Sequence, residues 1–140
     1  NVTRVEHRVP NCTSSQLYKT LIDDGGEYSF FGHIHVHRDA QKTQAYQRNA
    51  NVLVNRGGIA HTRPQLLIDA DDVKCSHGAT VGQLDEEAKF YMLTRGIPQK
   101  EVTRLLMRAF LQDVISEIPL PVIQEQIETL IESRLKGEKL

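Results

Sequence analysis

The strongest constraint on the fold is a change of periodicity near Gly82. Before it, apolar and polar residues alternate in short segments separated by polar or glycine-containing breaks, whereas after it apolar residues recur at i, i+3 and i+4. Period 2 is typical of strands with one buried face, and the longer period is typical of amphipathic helices. The sequence therefore predicts a mainly β protein with a C-terminal α-helical part, in two domains, 1–83 and 84–140.

The alternating segments are predicted to be strands, because Asp-, Asn- and Gly-rich breaks between them favour turns. No helical pattern separates the strands, which disfavours βαβ units and leaves a sandwich, a barrel or a β-solenoid. The predicted strands are Val2 to Val9, Leu17 to Ile22, Tyr28 to Val36, Ala45 to Val54, Leu66 to Ile68 and Val73 to Val81, with Phe31, Ile34, Val36, Val52 and Val54 expected to point inward.

Three helices are predicted after Gly82. Acidic residues favour a helix start near Asp85, a cation followed by glycine favours its end at Arg95, and proline suits the first turn of the next two. The second and third helices should form a helical hairpin or a bent pair. Their apolar faces could cover the end of the β part, form a docking platform for another protein, or do both. The predicted helices are Asp85 to Arg95, Pro98 to Pro119 and Pro121 to Gly137.

Composition and charge limit the classes of partner that are expected for this chain. Of 140 residues, 39% are hydrophobic and 25% charged, which is typical of a folded globular protein. Seventeen basic and 18 acidic residues give a formal net charge of −1, so neither nucleic acid nor a membrane surface is an expected partner. The start lacks Met and a signal pattern, which predicts a fragment of a longer protein. Cys12 and Cys75 form no CxxC motif, and a reducing cytoplasm is expected.

Two clusters could carry chemistry. His33, His35 and His37 would share one face of a strand at about 6.5–7 Å spacing. They could belong to a metal-dependent hydrolase, although no further ligand or base is identifiable, or they could form a solvated face with Ile34 and Val36 buried behind it.

Cys75 and His77 would likewise share a strand face, where both could reach one iron or sulfur species. The alternative is a buried structural cysteine. A thiol and an imidazole on one strand do not form a catalytic triad, and the glycine pairs lack the context of a phosphate loop. No self-sufficient catalytic site is found, and the protein is predicted not to be an enzyme.

Several segments then resemble a known family. They are DAQKTQAYQ at 39–47, PQL at 64–66, DDVKCSHGATVGQLD at 71–85, RGIP at 95–98 and AF at 109–110. Together they resemble the SufB/SufD family of scaffolds in SUF iron–sulfur cluster assembly, over about residues 7–118. Gly78 favours the SufD branch, since the SufB branch carries Glu after the histidine.

The resemblance implies a right-handed parallel β-helix, truncated here, followed by a C-terminal helical domain. It implies a scaffold that pairs with SufB through the β-helix ends and docks a SufC ATPase through the helical domain. An open β edge in a truncated chain also favours self-association with a second copy. The family core is longer than this chain, so flavin contacts of the full complex would lie outside it, and no cofactor is expected on the chain itself.

The resemblance also implies roles for individual residues. Cys75 and His77 would lie at the subunit interface, where both are candidate metal ligands for iron or a transient cluster. The helix from Pro98 to Ile118 would dock the ATPase. A structural β-solenoid adaptor without chemistry is the alternative. The residues expected to dock the ATPase are Pro98, Glu101, Arg104, Arg108 and Phe110.

Overall fold

The computed structural model describes residues 1–137, so the last three residues of the predicted second domain lie outside the described part. The chain forms two compact units, one from Asn1 to Gly82 and one that begins at Gln83. The first consists of strands and the second of helices, which confirms a β-rich fold followed by a helical region. The elements are β1 (Val2–His7), β2 (Thr13–Ile22), β3 (Glu27–Val36), β4 (Gln44–Leu53), β5 (Ile59–Ile68), β6 (Lys74–Gln83), α1 (Glu86–Thr94), α2 (Gln99–Ser116) and α3 (Pro121–Lys136).

The β unit contains two three-stranded sheets. One has the strand order β1-β3-β5 and the other β2-β4-β6, so successive strands alternate between the sheets. β1 pairs with β3, β3 with β5 and β2 with β4, each in parallel. Strands that follow each other in sequence do not pair within the described residues, which excludes the hairpins of an antiparallel sandwich.

The interior of the β unit is set by the even-numbered positions of β3. Ile34 lies level with Val5 on β1 and Leu66 on β5, and Ile34 and Val36 are fully buried, as predicted. Around them lies an apolar cluster that includes Ala40, Ala45 and Ala70.

The expectation for Phe31 was wrong. It is 45% exposed, whereas Phe30 is fully buried. Strand alternation explains this, because Phe30 has the same parity as Ile34 and Phe31 has the opposite one. Phe31 packs on the outer face, where the guanidinium carbon of Arg63 lies 5.3 Å from its ring centre.

β5 is longer than the predicted Leu66–Ile68 segment, and it includes a proline that an edge strand can accommodate. Pro64 lies in mid-strand, but β5 is the edge strand of its sheet. The N–H of Ile59 donates to Gly26 O and that of Asp69 to Val36 O, so the odd positions face β3. The missing N–H of Pro64 therefore belongs to the free edge, and no ladder hydrogen bond is lost.

The interior also contains a row of polar side chains on β4, in the segment predicted as an alternating strand. Gln47, Asn49 and Asn51 of β4 are all at most 2% exposed. Gln47 Nε2 donates to Gln16 Oε1 at 2.7 Å, and Asn51 Nδ2 donates to Thr80 O at 3.0 Å. These bonds satisfy amide donors, as burial requires, but Gln47 Oε1 and Asn51 Oδ1 have no hydrogen-bond partner.

The helix ends follow the predicted chemistry. Asp85 caps α1 by accepting from Ala88 N at 2.9 Å, and Gly96 follows the helix with φ +82°. α3 begins with Pro121 and ends at Lys136, and the capping residue Gly137 has a φ of +81°, which suits glycine. No described helix is long and apolar enough to cross a membrane.

α2 and α3 pack as the predicted hairpin. Arg104 bonds to Glu132, while Gln112, further along α2, donates to Glu128 at 3.3 Å. A later residue of α2 thus contacts an earlier residue of α3, so the two helices are antiparallel. Val102 is fully buried at this unit's centre.

Candidate functional site

Cys75 and His77 lie on β6, the edge strand of its sheet beside β4. Because residues two apart on a strand share a face, the thiol and the imidazole stand on one side of β6. Lys74 and Ser76 project to the other side. The conformation on which the candidate site depends, an extended segment at a sheet edge, is therefore present.

The two side chains differ in burial. Cys75 is a free, half-buried thiol that packs against the apolar cluster containing Ile34 and Ala45. His77 is exposed. The pair thus runs from the margin of the core to solvent, so a metal could approach His77 while the thiol stays partly shielded.

Cys75 and His77 could act as two metal ligands, but they do not form a complete ligand set. Thiolate sulfur and imidazole nitrogen are both ligands for iron. Among residues 1–137, no group of three or more His, Cys, Asp or Glu side chains is arranged to hold a metal ion. Two ligands on one strand require the remaining ligands to come from elsewhere.

His33, His35 and His37 form a half-buried row on the outer face of β3. The rings of His35 and His37 stack with centres 3.8 Å apart, and His35 Nε2 lies 2.8 Å from Asp69 Oδ2. His37 Nε2 lies 3.7 Å from Glu6 Oε2. Among residues 1–137 this row is not part of any group of three or more side chains that could hold a metal ion, and Ile34 and Val36 are buried behind it as expected.

The residues predicted to dock an ATPase lie on or beside α2. Pro98 caps its start without a side-chain bond, and Phe110 is half-buried. Glu101, Arg104 and Arg108 belong to an ion-pair network with α3, in which Arg108 Nη1 lies 3.0 Å from Glu132 Oε1.

That network fixes charge on α2. The hydrogen bond from Arg104 lowers the pKa of the Glu101 carboxyl, and the same bond raises the pKa of the Arg104 guanidinium. Arg104 is 23% exposed and Arg108 is 42% exposed. Both therefore help to pair the helices, and Arg108 is the more accessible of the two.

Residues 1–110 match the family model described as "SUF system FeS cluster assembly, SufBD core domain". The chain belongs to the SufBD core-domain family. The match covers the whole β unit and extends into α2 as far as Phe110.

Curated relatives agree with this SufBD assignment. The chain is 40% identical over 135 residues to the iron–sulfur cluster assembly protein SufD of Escherichia coli, covering 96% of this chain and 32% of the relative. It is 35% identical to a SufBD family protein of Synechocystis, with 89% and 28% covered, and 32% identical to SufD of Bacillus subtilis, with 83% and 26% covered. The chain thus spans about a third or less of the length of these relatives.

Five polar residues of the β unit are buried although no sequence pattern was used to predict it: His7, Thr43, Gln47, Asn49 and Asn51. His7 is 6% exposed, and burial lowers the pKa of its imidazole because the charged ring is poorly solvated inside the unit. Strand alternation could have predicted the burial of His7, since it lies two residues after Val5, on the same inward face of β1. Gln47 could have been found in the same way, from its alternation with Ala45 on β4.

Proposed function

We propose that this chain is part of a scaffold subunit of the SUF iron–sulfur cluster assembly complex. On this proposal it presents Cys75 and His77 at an interface with a SufB-type sister subunit, where they contribute to iron acquisition or cluster nucleation. One observation carries the proposal: a thiol and an imidazole share one face of an edge strand, with the rest of a ligand set absent from the described residues. A sister chain would supply the missing ligands.

The β unit is proposed to be a right-handed parallel β-helix. Strands that pair in parallel and alternate between two sheets support a chain that winds in successive coils. In such a fold β5 and β6 form the last coil of this segment, and each is an edge strand of its sheet.

β6 suits an interface because edge strands carry unpaired backbone donors and acceptors. Its side chains support this too, since Val81 is 46% exposed. Strand edges of this kind are recurrent sites for the addition of another chain. A second copy of this protein could use the same edge when the SufB-type partner is absent.

The helical unit is proposed to dock a SufC-type ATPase through α2, with Pro98, Glu101, Arg104, Arg108 and Phe110 as contact residues. Nucleotide hydrolysis then belongs to the partner and the chain itself performs no turnover. Pro98 is exposed at the start of the helix, and Arg108 combines accessibility with a fixed position, because Glu132 holds its guanidinium. The complex would work in the cytoplasm, and iron or the cluster is its cargo, held only transiently.

Thiol labelling tests the interface, because the two cysteines form a matched pair. Both are half-buried free thiols of the β unit, but Cys12 lies in the turn before β2 with its Sγ 3.2 Å from Val9 O. In full-length protein, maleimide labelling of Cys12 and of Cys75 is followed separately by peptide mass spectrometry, with the protein alone and in complex with the SufB and SufC partners. Complex formation is expected to slow labelling at Cys75 at least tenfold and to leave Cys12 unchanged.

The same measurement separates the scaffold from a structural adaptor without chemistry. An adaptor predicts that Cys75 stays inert to the reagent both with and without partners, since a purely structural thiol remains in the core. Equal labelling rates at Cys75 in the free subunit and the complex would remove the proposed interface.

A further inference from the structure

Two buried oxygens of the interior polar row of β4 have no hydrogen-bond partner, Gln47 Oε1 and Asn51 Oδ1, and Gln47 is the one beside the candidate site. Gln47 is 2% exposed, and its Oε1 is buried without a hydrogen-bond partner. A buried acceptor without a partner loses its hydrogen bond to water and gains none in return, so the oxygen requires an explanation. What lies beside Gln47 on the next strand therefore matters.

Backbone bonds give the alignment of β6 on β4. In the β2–β4 pair, Gln44 N donates to Cys12 O at 2.9 Å, and Gln44 lies level with Thr13. In the same way Lys74 N donates to Thr43 O at 2.9 Å. Lys74 therefore lies level with Gln44.

Counting along both strands from this position places Cys75 level with Ala45 and His77 level with Gln47. Two side-chain contacts agree with the alignment and its direction. Cys75 packs against the cluster that contains Ala45, and Asn51, further along β4, donates to the backbone oxygen of Thr80 at 3.0 Å. Neighbouring strands lie about 4.8 Å apart, so the imidazole of His77 starts within reach of the Gln47 amide.

Two neighbours, Gln16 and Gly32, fix the orientation of the Gln47 amide. Its Nε2 donates to Gln16 Oε1 at 2.7 Å; Gln16 is on β2, which flanks β4 on the side away from β6. A Cβ placed on Gly32 would come within 2.2 Å of Gln47 Oε1, so the amide lies directly over that glycine. The nitrogen is held toward β2, and the oxygen lies over Gly32 of β3, buried and without a hydrogen-bond partner.

We propose that Gln47, supported by Gln16, is a positioning residue for His77. His77 and Gln47 Oε1 are not bonded in the structure; on this proposal the His77 ring turns to donate one N–H to that oxygen, which leaves the other ring nitrogen with a free lone pair for the site. This inference rests on the proposed role of His77 and deepens it. It resembles the arrangement of metal-binding histidines in general, whose second nitrogen is held by an outer hydrogen-bond acceptor.

The test reads the tautomer of His77 directly. In full-length protein labelled with ¹⁵N-histidine, the two ring nitrogen shifts of His77, assigned with a His77→Gln variant, are measured at a pH where the ring is neutral. Wild type is expected to show one dominant tautomer, and Gln47→Met is expected to shift both nitrogens toward the averaged values of a free imidazole. Gln16→Met should move them in the same direction, because the Gln47 amide then loses its anchor.

The matched control is Gln44→Met, an exposed glutamine on the same strand. It should leave the tautomer of His77 unchanged. Methionine has about the length of glutamine, and the unfolding midpoint confirms that each variant is folded. An averaged tautomer in the wild type, or the same single tautomer in Gln47→Met, would overturn the inference, and the orphan oxygen would then be a water site.

Iron binding to the reconstituted complex separates this inference from the proposed function. Gln47→Met is expected to weaken iron(II) affinity about ten- to hundredfold, the usual range for loss of an outer partner of a ligating histidine. If His77→Gln leaves iron binding and cluster formation intact, the proposed function of His77 fails, whatever the tautomer. If His77→Gln is defective but Gln47→Met is not, only the positioning role fails.

Discussion

His7 Nε2 lies 2.9 Å from Ser14 Oγ inside the β unit. His7 ends β1 and Ser14 is near the start of β2, so this bond joins the two sheets across their first turn. Since burial lowers the pKa of the imidazole below its ordinary value of 6.5, the ring is neutral in the folded protein at neutral pH.

The first prediction concerns acid stability. The folded pKa of His7 lies below the unfolded one, so the unfolded chain binds the proton first as the pH falls. The contribution to stability is therefore fully present above about pH 6.5, the unfolded value, and is lost as the pH falls through the folded pKa. His7→Gln, which cannot titrate, should show a shallower fall in the free energy of unfolding between pH 7.5 and 5.5 by urea denaturation.

The control for this prediction is His61→Gln, since the His61 side chain is 66% exposed. Its pH dependence should follow the wild type. A His7→Gln variant with the wild-type slope would show that burial of this ring does not govern the acid response.

The second prediction tests the parity of β3. Ile34→Ala removes a fully buried side chain and should lower the free energy of unfolding by about 2–5 kcal/mol, because it leaves a cavity. Phe31→Ala removes a larger but exposed side chain and its contact with Arg63, and should cost about 1 kcal/mol or less. Chemical denaturation of the two variants measures both, and a larger loss for Phe31→Ala would contradict the inward face assigned to β3.

The third prediction concerns the helical hairpin. Glu132→Gln weakens the bonds to Arg104 and Arg108, so the backbone amides of α3 should exchange hydrogen faster. The difference from wild type should shrink only in part at high salt, because salt screens the more accessible Arg108 pair more than the mostly buried Arg104 pair. Glu125→Gln, on the same helix and exposed, is the control. Equal exchange in wild type and Glu132→Gln would show that packing alone holds the helices together.

The fourth prediction separates docking from helix pairing. Arg108→Ala should weaken binding of the SufC-type partner, measured by titration calorimetry with full-length protein, because it removes an accessible cation from α2. Glu132→Gln loosens the same guanidinium without removing it and should reduce binding less. If the two variants weaken binding equally, Arg108 acts only through the pairing of α2 and α3.

Much of the fold was predictable because single residues specify it locally. Asp85, Pro121 and Gly137 each favour one backbone geometry at a helix end, and the helices begin and end close to them. Ile34 and Val36 gave the buried face of β3 through period 2 alone. Cys75 and His77 share a strand face for the same reason.

The remainder depends on which strands neighbour each other. The length of β5 was missed because Pro64 is compatible with a strand only at a free edge, and edge position is a property of the sheet. The burial of Gln47 and His7 was not predicted, because both are polar and their interior positions follow from the parallel pairing of the strands. The ion pairs of Arg104 likewise depend on the return of α3, which a local pattern does not specify.

The most direct test of the account is cluster formation by the full complex reconstituted with SufB and SufC. The double variant Cys75→Ala/His77→Ala should lower the iron–sulfur absorbance formed per complex several-fold while the subunit stays folded and assembled. The control is Lys74→Ala/Ser76→Ala, which changes the opposite face of the same strand and should retain wild-type yield. Wild-type cluster formation by Cys75→Ala/His77→Ala would contradict the proposal that this thiol and imidazole serve the assembly site.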